Sequence, residues 1–179
     1  MERPLLRGYQ IETLERLAGS MNALPNVDIT MMYPRQAGKN ELAATFVAFL
    51  LRLHSLSGGS VIVTAPTLHP QAVISRERTF DVMRRTIVTL RGRIAAEFTA
   101  DALAIRCGRA TATFLSASPT ANVAGHTASI ALIADEAQDI EREWFDRQFR
   151  PMTASTGAPV LLFGTPWTGE SLLERAVAK

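Results

Sequence analysis

The chain has 179 residues, 47% of them hydrophobic and 20% charged, with a formal net charge of +2. That balance is ordinary for one globular α/β domain with enough chain for a real core, and so small a net charge does not by itself demand a nucleic-acid partner. The single Cys107 excludes an internal disulfide, no run approaches the ~18–20 uninterrupted apolar residues of a membrane span, and Met1-Glu2-Arg3-Pro4 has no apolar signal core behind it, so neither membrane insertion nor secretion is expected.

Leu5-Leu6-Arg7-Gly8-Tyr9-Gln10 opens the chain, and Ile11, Leu14, Leu17 and Ala18 follow at helical spacing. Tyr9 offers a stacking face, and the Gln10 amide can both donate to and accept from an adenine edge. The same residues also suit an apolar helix start with a solvated glutamine. A linker with Pro25 leads to Val27–Tyr33, a short run with strand-like alternation.

Pro34-Arg35-Gln36-Ala37-Gly38-Lys39-Asn40 then reads as a phosphate-binding loop. A strand precedes it, and a mostly apolar helix from Glu41 to Leu53 follows, with Leu42, Phe46, Phe49, Leu50 and Leu53 expected to be buried. Strand, tight loop and helix are the context that a P-loop needs. Backbone N–H groups and the helix N-terminus favour phosphate oxygens, and a lysine reaches the outer phosphates. The match to G-x-x-x-x-G-K-[ST] is incomplete. Tyr33 stands at the first glycine, and Asn40 stands where Ser or Thr holds Mg²⁺. Composition strengthens the reading: among 19 Lys plus Arg, only Lys39 and Lys179 are lysine. A compact ammonium suits a phosphate as a point charge.

Ser57-Gly58-Gly59 turns the chain into Ser60–Ala65, a β-branched run bounded by Pro66 that reads as a buried parallel strand. Pro70 to Leu90 reads as a long helix with Val73, Ile74, Phe80, Met83, Ile87 and Leu90 inward. Arg76, Arg78, Arg84 and Arg85, with Arg91 and Arg93 beyond, make the rest basic. That face suits DNA or a neighbouring subunit, or simply solvent with Glu77 and Asp81 as local partners. Alternation in 102–107 and 110–115 around Gly108-Arg109 predicts a β-hairpin, and 116–127 reads as loop.

Ser129–Ala134 is a second buried strand, ending in Asp135-Glu136. An apolar strand closed by Asp-Glu is the Walker B pattern: Asp135 would hold Mg²⁺, and Glu136 would polarise the attacking water. Asp139 is expected to cap a helix from Ile140 to Phe149. Ala158–Phe163 forms the last buried strand, closed by Gly164-Thr165-Pro166-Trp167, and Ser171 to Lys179 starts a final helix. Thr165 at that tip could sense the γ-phosphate.

In order along the chain, these signals resemble the ATPase domain of phage large terminase subunits, the DNA-packaging motor. Leu6-Arg7-Gly8-Tyr9-Gln10 resembles the family's adenine-binding Q motif. Arg35-Gln36-Ala37-Gly38-Lys39 looks like its deviant Walker A, Thr64-Ala65-Pro66-Thr67 like the segment after its second core strand, and Ala131 to Gln138 like its Walker B. Leu162-Phe163-Gly164-Thr165-Pro166 resembles its coupling motif. The resemblance implies an α/β fold of the additional-strand, RecA-like P-loop NTPase type, with a mainly parallel central sheet flanked by helices. It implies ATP and Mg²⁺ at the site, with Glu136 as base and Asp135 and Asn40 toward the metal. Its partners would be double-stranded DNA, further copies in a homo-oligomeric ring on a procapsid portal, and the small terminase subunit, all in the host cytoplasm. The family's C-terminal nuclease domain has no counterpart after the coupling motif, so residues 1–179 are expected to be the ATPase domain alone.

Many members place an arginine before a glycine ahead of Walker B as a trans-acting finger. Here the stretch is Asn122-Val123-Ala124-Gly125-His126, so Arg35 is the candidate in cis. Two other readings share the motifs. The first is the N-terminal motor domain of a helicase, whose Walker B also resembles Asp135-Glu136-Ala137-Gln138. The second is a non-hydrolytic DNA-binding or assembly module that retains the loop.

Overall fold

The computed structural model describes residues 6–23, 28–89, 98–166 and 171–173. Pro25, Leu90, Arg91, Arg93, Trp167, the Ile87 side chain and the expected helix beyond residue 173 lie outside the described residues. In chain order the elements are α1 (Gly8–Ala23), β1 (Asp28–Met32), α2 (Lys39–Leu53), β2 (Gly59–Ala65), α3 (Val73–Thr89), β3 (Phe98–Ala100), β4 (Ala104–Cys107), β5 (Ala110–Ser116), β6 (Ala131–Ala134), α4 (Arg142–Gln148) and β7 (Val160–Gly164). A single wide turn, Leu68–Ala72, leads into α3, and a short 3-10 turn, Ala137–Asp139, follows β6.

The seven strands form one sheet in the order β1-β7-β6-β2-β5-β4-β3. The first five run parallel. The last two are antiparallel, and β4 and β5 make the expected hairpin around Gly108, whose φ of 57° is easy only for glycine. β7, late in sequence, lies between β1 and β6. The strand that feeds the loop and the strand that carries the acids are therefore one strand apart.

The apolar runs of the central strands are explained by two covered faces. On one face, Val61, Val63, Ile133, Leu161 and Phe163 join Leu42, Phe46 and Leu50 of α2 and Val82 and Met83 of α3. On the other, Ile62, Leu132, Val160 and Leu162 join Phe145 and Phe149 of α4 and Met152. Alternate residues of each strand thus enter opposite cores, the period of two that pleating imposes. Helices cover both faces, as the sequence predicts.

Some expectations need correction. Phe49 and Leu53 are exposed on α2, Ile74 on α3 and Ile11 on α1, because each helix has only one side against the sheet or a neighbouring helix. Asp139 does not cap a helix: α4 starts at Arg142 after Glu141, with no side-chain cap. The chain first makes a left-handed step at Glu136, with φ 52°, then the 3-10 turn, and Ile140 is extended and buried. No helix among the described residues is long and apolar enough to cross a membrane.

Phe163 is fully buried on β7 and pairs in register with Met31. Phe163→Ala is expected to lower stability by about 3–5 kcal/mol, the usual cost of emptying an aromatic site in a core. Urea unfolding measures it, and a loss below about 1 kcal/mol would contradict a tightly packed central β7.

Candidate active site

β1 ends at Met32, and the Tyr33 N–H donates to the Gly164 carbonyl at 3.0 Å, carrying the β1–β7 pairing one residue further. The loop then turns on two left-handed residues, Gln36 (φ 63°) and Gly38 (φ 78°), with the Ala37 N–H donating to Pro34 O at 3.2 Å. Gly38 is required twice over. Its φ disfavours a side chain, and a Cβ there would lie 2.6 Å from Gln10 Nε2. α2 begins at Lys39 with no side-chain cap. Its first-turn N–H groups have no acceptor within the helix, so they and the helix dipole favour an anion at that end.

α1 latches this loop from behind. The Tyr9 hydroxyl donates to Ala37 O at 2.6 Å, and Gln10 Nε2 donates to Gly38 O at 2.9 Å. Gln10 Oε1 accepts from the Arg7 N–H at 2.8 Å, and Gln10 is buried. Tyr33 joins the same latch through a 2.7 Å hydrogen bond with Thr13. Tyr9 and Gln10, read from the sequence for adenine contact, thus hold the loop's backbone.

The acids arrive from β6. The Asp135 N–H donates to Thr64 O at 2.8 Å, which places Asp135 one step beyond β6 against β2. Lys39 Nζ lies 2.6 Å from Glu136 Oε2 and 3.5 Å from Asp135 Oδ1. Lys39 and Asp135 are 6% and 5% exposed, so this contact between α2 and β6 is a buried one. Burial raises the Asp135 carboxyl above the ordinary range, and the Glu136 charge adds to that against the pull of Lys39. Burial also acts upward on Glu136, but the Gln138 amide, Lys39 and the Arg78 charge outweigh it and hold the group below its usual range.

A cleft of about 600 Å³ opens above this contact, at the C-terminal edge of the parallel strands. α/β sheets place ligands at that edge. Pro34, Arg35, Gln36, Gly38, Lys39 and Asn40 line one side. Glu136 and Thr165 line another, and Asp135 lies below, in contact with Lys39. Ala37 and Gly164 are set back, bonded respectively to Tyr9 and to the Tyr33 N–H. Five further residues line the cleft that were not assigned to the site from the sequence: Glu41, Gln71, Arg78, Gln138 and Asp139. The basic run of α3 contained Arg78, but nothing in the run distinguishes it from its neighbours. Gln138 stands inside the Asp-Glu-Ala-Gln stretch, where its amide was the available signal.

The donor set fits a polyphosphate: an ammonium, a helix N-terminus and a left-handed glycine turn converge on one cleft. No cluster of three or more acidic, His or Cys side chains able to hold a metal exists among the described residues. Mg²⁺ does not need one, since it is ordinarily held by one or two carboxylates together with substrate phosphates and water.

No family model and no curated protein matches the sequence. Solved structures do. A mutant of the large terminase ATPase domain of Thermus phage P74-26 superposes with a TM-score of 0.66 at 20% identity, covering 92% of this chain and 66% of that one. The large terminase of bacteriophage HK97 gives 0.69 at 15%, covering 97% and 37%. The large terminase of a thermophilic bacteriophage, in complex with ADP, gives 0.56 at 14%, covering 89% and 39%. The chain thus spans about two thirds or less of each of these structures. The fold is the RecA-like P-loop fold of phage large terminase ATPase domains, with β7 lying between β1 and β6.

Lys39 is the only cation in direct contact with the two carboxylates among the described residues. Lys39→Met leaves them without it at the floor of the cleft, with Asp135 only 5% exposed. It is expected to lower stability by about 3 kcal/mol, the scale for breaking a buried ion pair from one side. Chemical denaturation at neutral pH checks this, and unchanged stability would mean that the contact is electrostatically neutral to the fold.

Proposed function

We propose that this chain is the ATPase motor domain of a viral large terminase, hydrolysing ATP to drive double-stranded DNA into a procapsid. What carries the reading is the convergence of Lys39, Asp135 and Glu136, from the start of α2 and the end of β6, at one cleft of about 600 Å³. In this role the loop from Pro34 to Gly38 and the first turn of α2 cradle the phosphates, and Lys39 neutralises the outer ones. Asp135 and the Asn40 side-chain oxygen would hold Mg²⁺, which would supply charge to offset that of the phosphate oxygens. Glu136 takes the proton of the attacking water. Tyr9, half exposed, keeps a face for the adenine ring, and the Gln10 amide has one donor and one acceptor beyond its two bonds. Gly164 and Thr165 carry the phosphate's state to the rest of the motor.

The partners on this reading are DNA, further copies in a ring on the portal, the small terminase subunit and a nuclease domain, in the host cytoplasm. The basic face of α3 supports a polyanionic or acidic neighbour: Arg78, Arg84 and Arg85 line a second hollow of about 630 Å³ with Glu41 and Asp81.

Glu136 competes with a phosphate for Lys39, given their 2.6 Å contact. Glu136→Gln is therefore expected to bind ATP at least as tightly as the wild type while losing ~10²–10⁴-fold in turnover, the span of a general base. Phosphate release and nucleotide titration read the two effects separately. Wild-type turnover in the variant would move the base elsewhere, with Asp139 the next residue to test.

Arg35 is exposed on the cleft rim, four residues before Lys39. As the cis finger it is expected to contribute ~10³-fold or more to turnover, so Arg35→Ala should leave ATP affinity within a few-fold and cut the rate sharply. Turnover measured against protein concentration is the check, because ring assembly should raise the wild-type rate per subunit. Equal rates for both proteins at every concentration would remove Arg35 from the mechanism.

A further inference from the structure

Gln138 joins two parts of the site that sequence leaves 27 residues apart. Its side chain leaves the 3-10 turn after Glu136 and reaches in two directions. Nε2 donates to Glu136 Oε2 at 2.8 Å and lies 3.3 Å from Asp139 Oδ2. Oε1 accepts from the Thr165 N–H at 3.0 Å. The amide fits only one way round, since an ionised carboxylate only accepts and a backbone N–H only donates. No other side chain of this length supplies both a donor and an acceptor in one rigid plane.

The β7 tip is shaped to receive it. A Cβ at Gly164 would lie 2.5 Å from Gln138 Oε1 and 2.6 Å from a methyl of Leu173. Glycine at 164 is therefore what lets the amide seat against the strand end. On the other side, the Glu136 oxygen that Gln138 holds is the same Oε2 that lies 2.6 Å from Lys39. One carboxylate oxygen is pinned by two donors from separate elements. Oε1, the other oxygen, makes no hydrogen bond among the described residues and is the one available to accept a proton. Glu136 is also held at φ 52°, a strained value for a side-chain-bearing residue.

We infer that Gln138 is a positioning residue that ties the orientation of Glu136 to the backbone at Gly164–Thr165. A shift of the β7 tip then turns the carboxylate toward or away from the water, and a turned carboxylate pulls on that tip. The inference rests on the ATPase reading above, and it adds a residue to which the motif alone gives no partner.

The test compares steady-state ATP turnover of the wild type, Gln138→Met, the isosteric Gln138→Glu and Gly164→Ala, all at saturating Mg-ATP and across a KM series. Each variant is expected to lose about 10²-fold in kcat, the scale of an ångström-sized misplacement, with KM within about threefold, because neither residue belongs to the loop and helix start assigned to the phosphates. In a Glu136→Gln background, Gln138→Met is expected to cause no further loss, since residues that act through one another are not additive. Unchanged kcat in Gln138→Met and Gln138→Glu, or full additivity with Glu136→Gln, would overturn the inference while leaving the ATPase reading intact. A wild type that releases no phosphate from ATP would overturn that reading and this role with it.

Discussion

One ammonium and two carboxylates meet at the C-terminal edge of the sheet, with Lys39 Nζ 2.6 Å from Glu136 Oε2 and 3.5 Å from Asp135 Oδ1. Burying such a group is costly unless the charges answer one another. Lys39 answers one carboxylate, and burial, with a smaller push from the Glu136 charge, holds Asp135 above its ordinary range. A site left one positive charge short has a physical reason to attract a cation. The constraint also runs backward into the fold. Lys39 must start α2, Asp135 must directly follow β6, and β1 and β6 must be held at a fixed spacing.

β7 sets that spacing. It pairs with β1 in register from Asp28–Val160 to Met32–Gly164 and with β6 from Leu132–Val160 to Ala134–Leu162. Its own side chains alternate between the two cores, which makes it hard to move relative to either neighbour. Its tip then touches the site twice, through Gly164 O to the Tyr33 N–H at the loop and through the Thr165 N–H to Gln138 beside the acid. The inserted strand is thus both the spacer between loop and acids and the element through which they are connected. Arg150 reinforces the far end of this arrangement, bonding Asp28 at the start of β1 and Asp146 of α4.

Much of this was legible in the sequence because it rests on local or periodic signals. Ser60–Ala65, Ser129–Ala134 and Ala158–Phe163 read as mostly apolar runs bounded by turn residues, and a central strand lies on each: Gly59–Ala65, Ala131–Ala134 and Val160–Gly164. Lys39 stood out as an isolated lysine in an arginine-using chain, and Asp135-Glu136 as acids at the end of an apolar run. The parts that were not legible depend on contacts between distant residues or on unusual backbone. The left-handed step at Glu136 has no sequence marker, since glycine or asparagine ordinarily occupies such a place, and it moved the start of α4 past Asp139. Arg78 is one of several equivalent arginines along α3, and only tertiary packing turns it toward the cleft. Gln10 was readable as an adenine contact, but its bond to Gly38 O joins residues 28 apart and needs the fold to bring α1 behind the loop.

The proposed chemistry depends most on a polyphosphate taking the place that Glu136 occupies beside Lys39. Calorimetric titration of Mg-ATP into the wild-type chain and into Lys39→Ala tests that directly. Saturable binding at one site per chain is expected in the wild type, and its loss in the variant, with the variant shown to be folded by circular dichroism. Equal affinity in the two proteins, or no binding by the wild type, would contradict it.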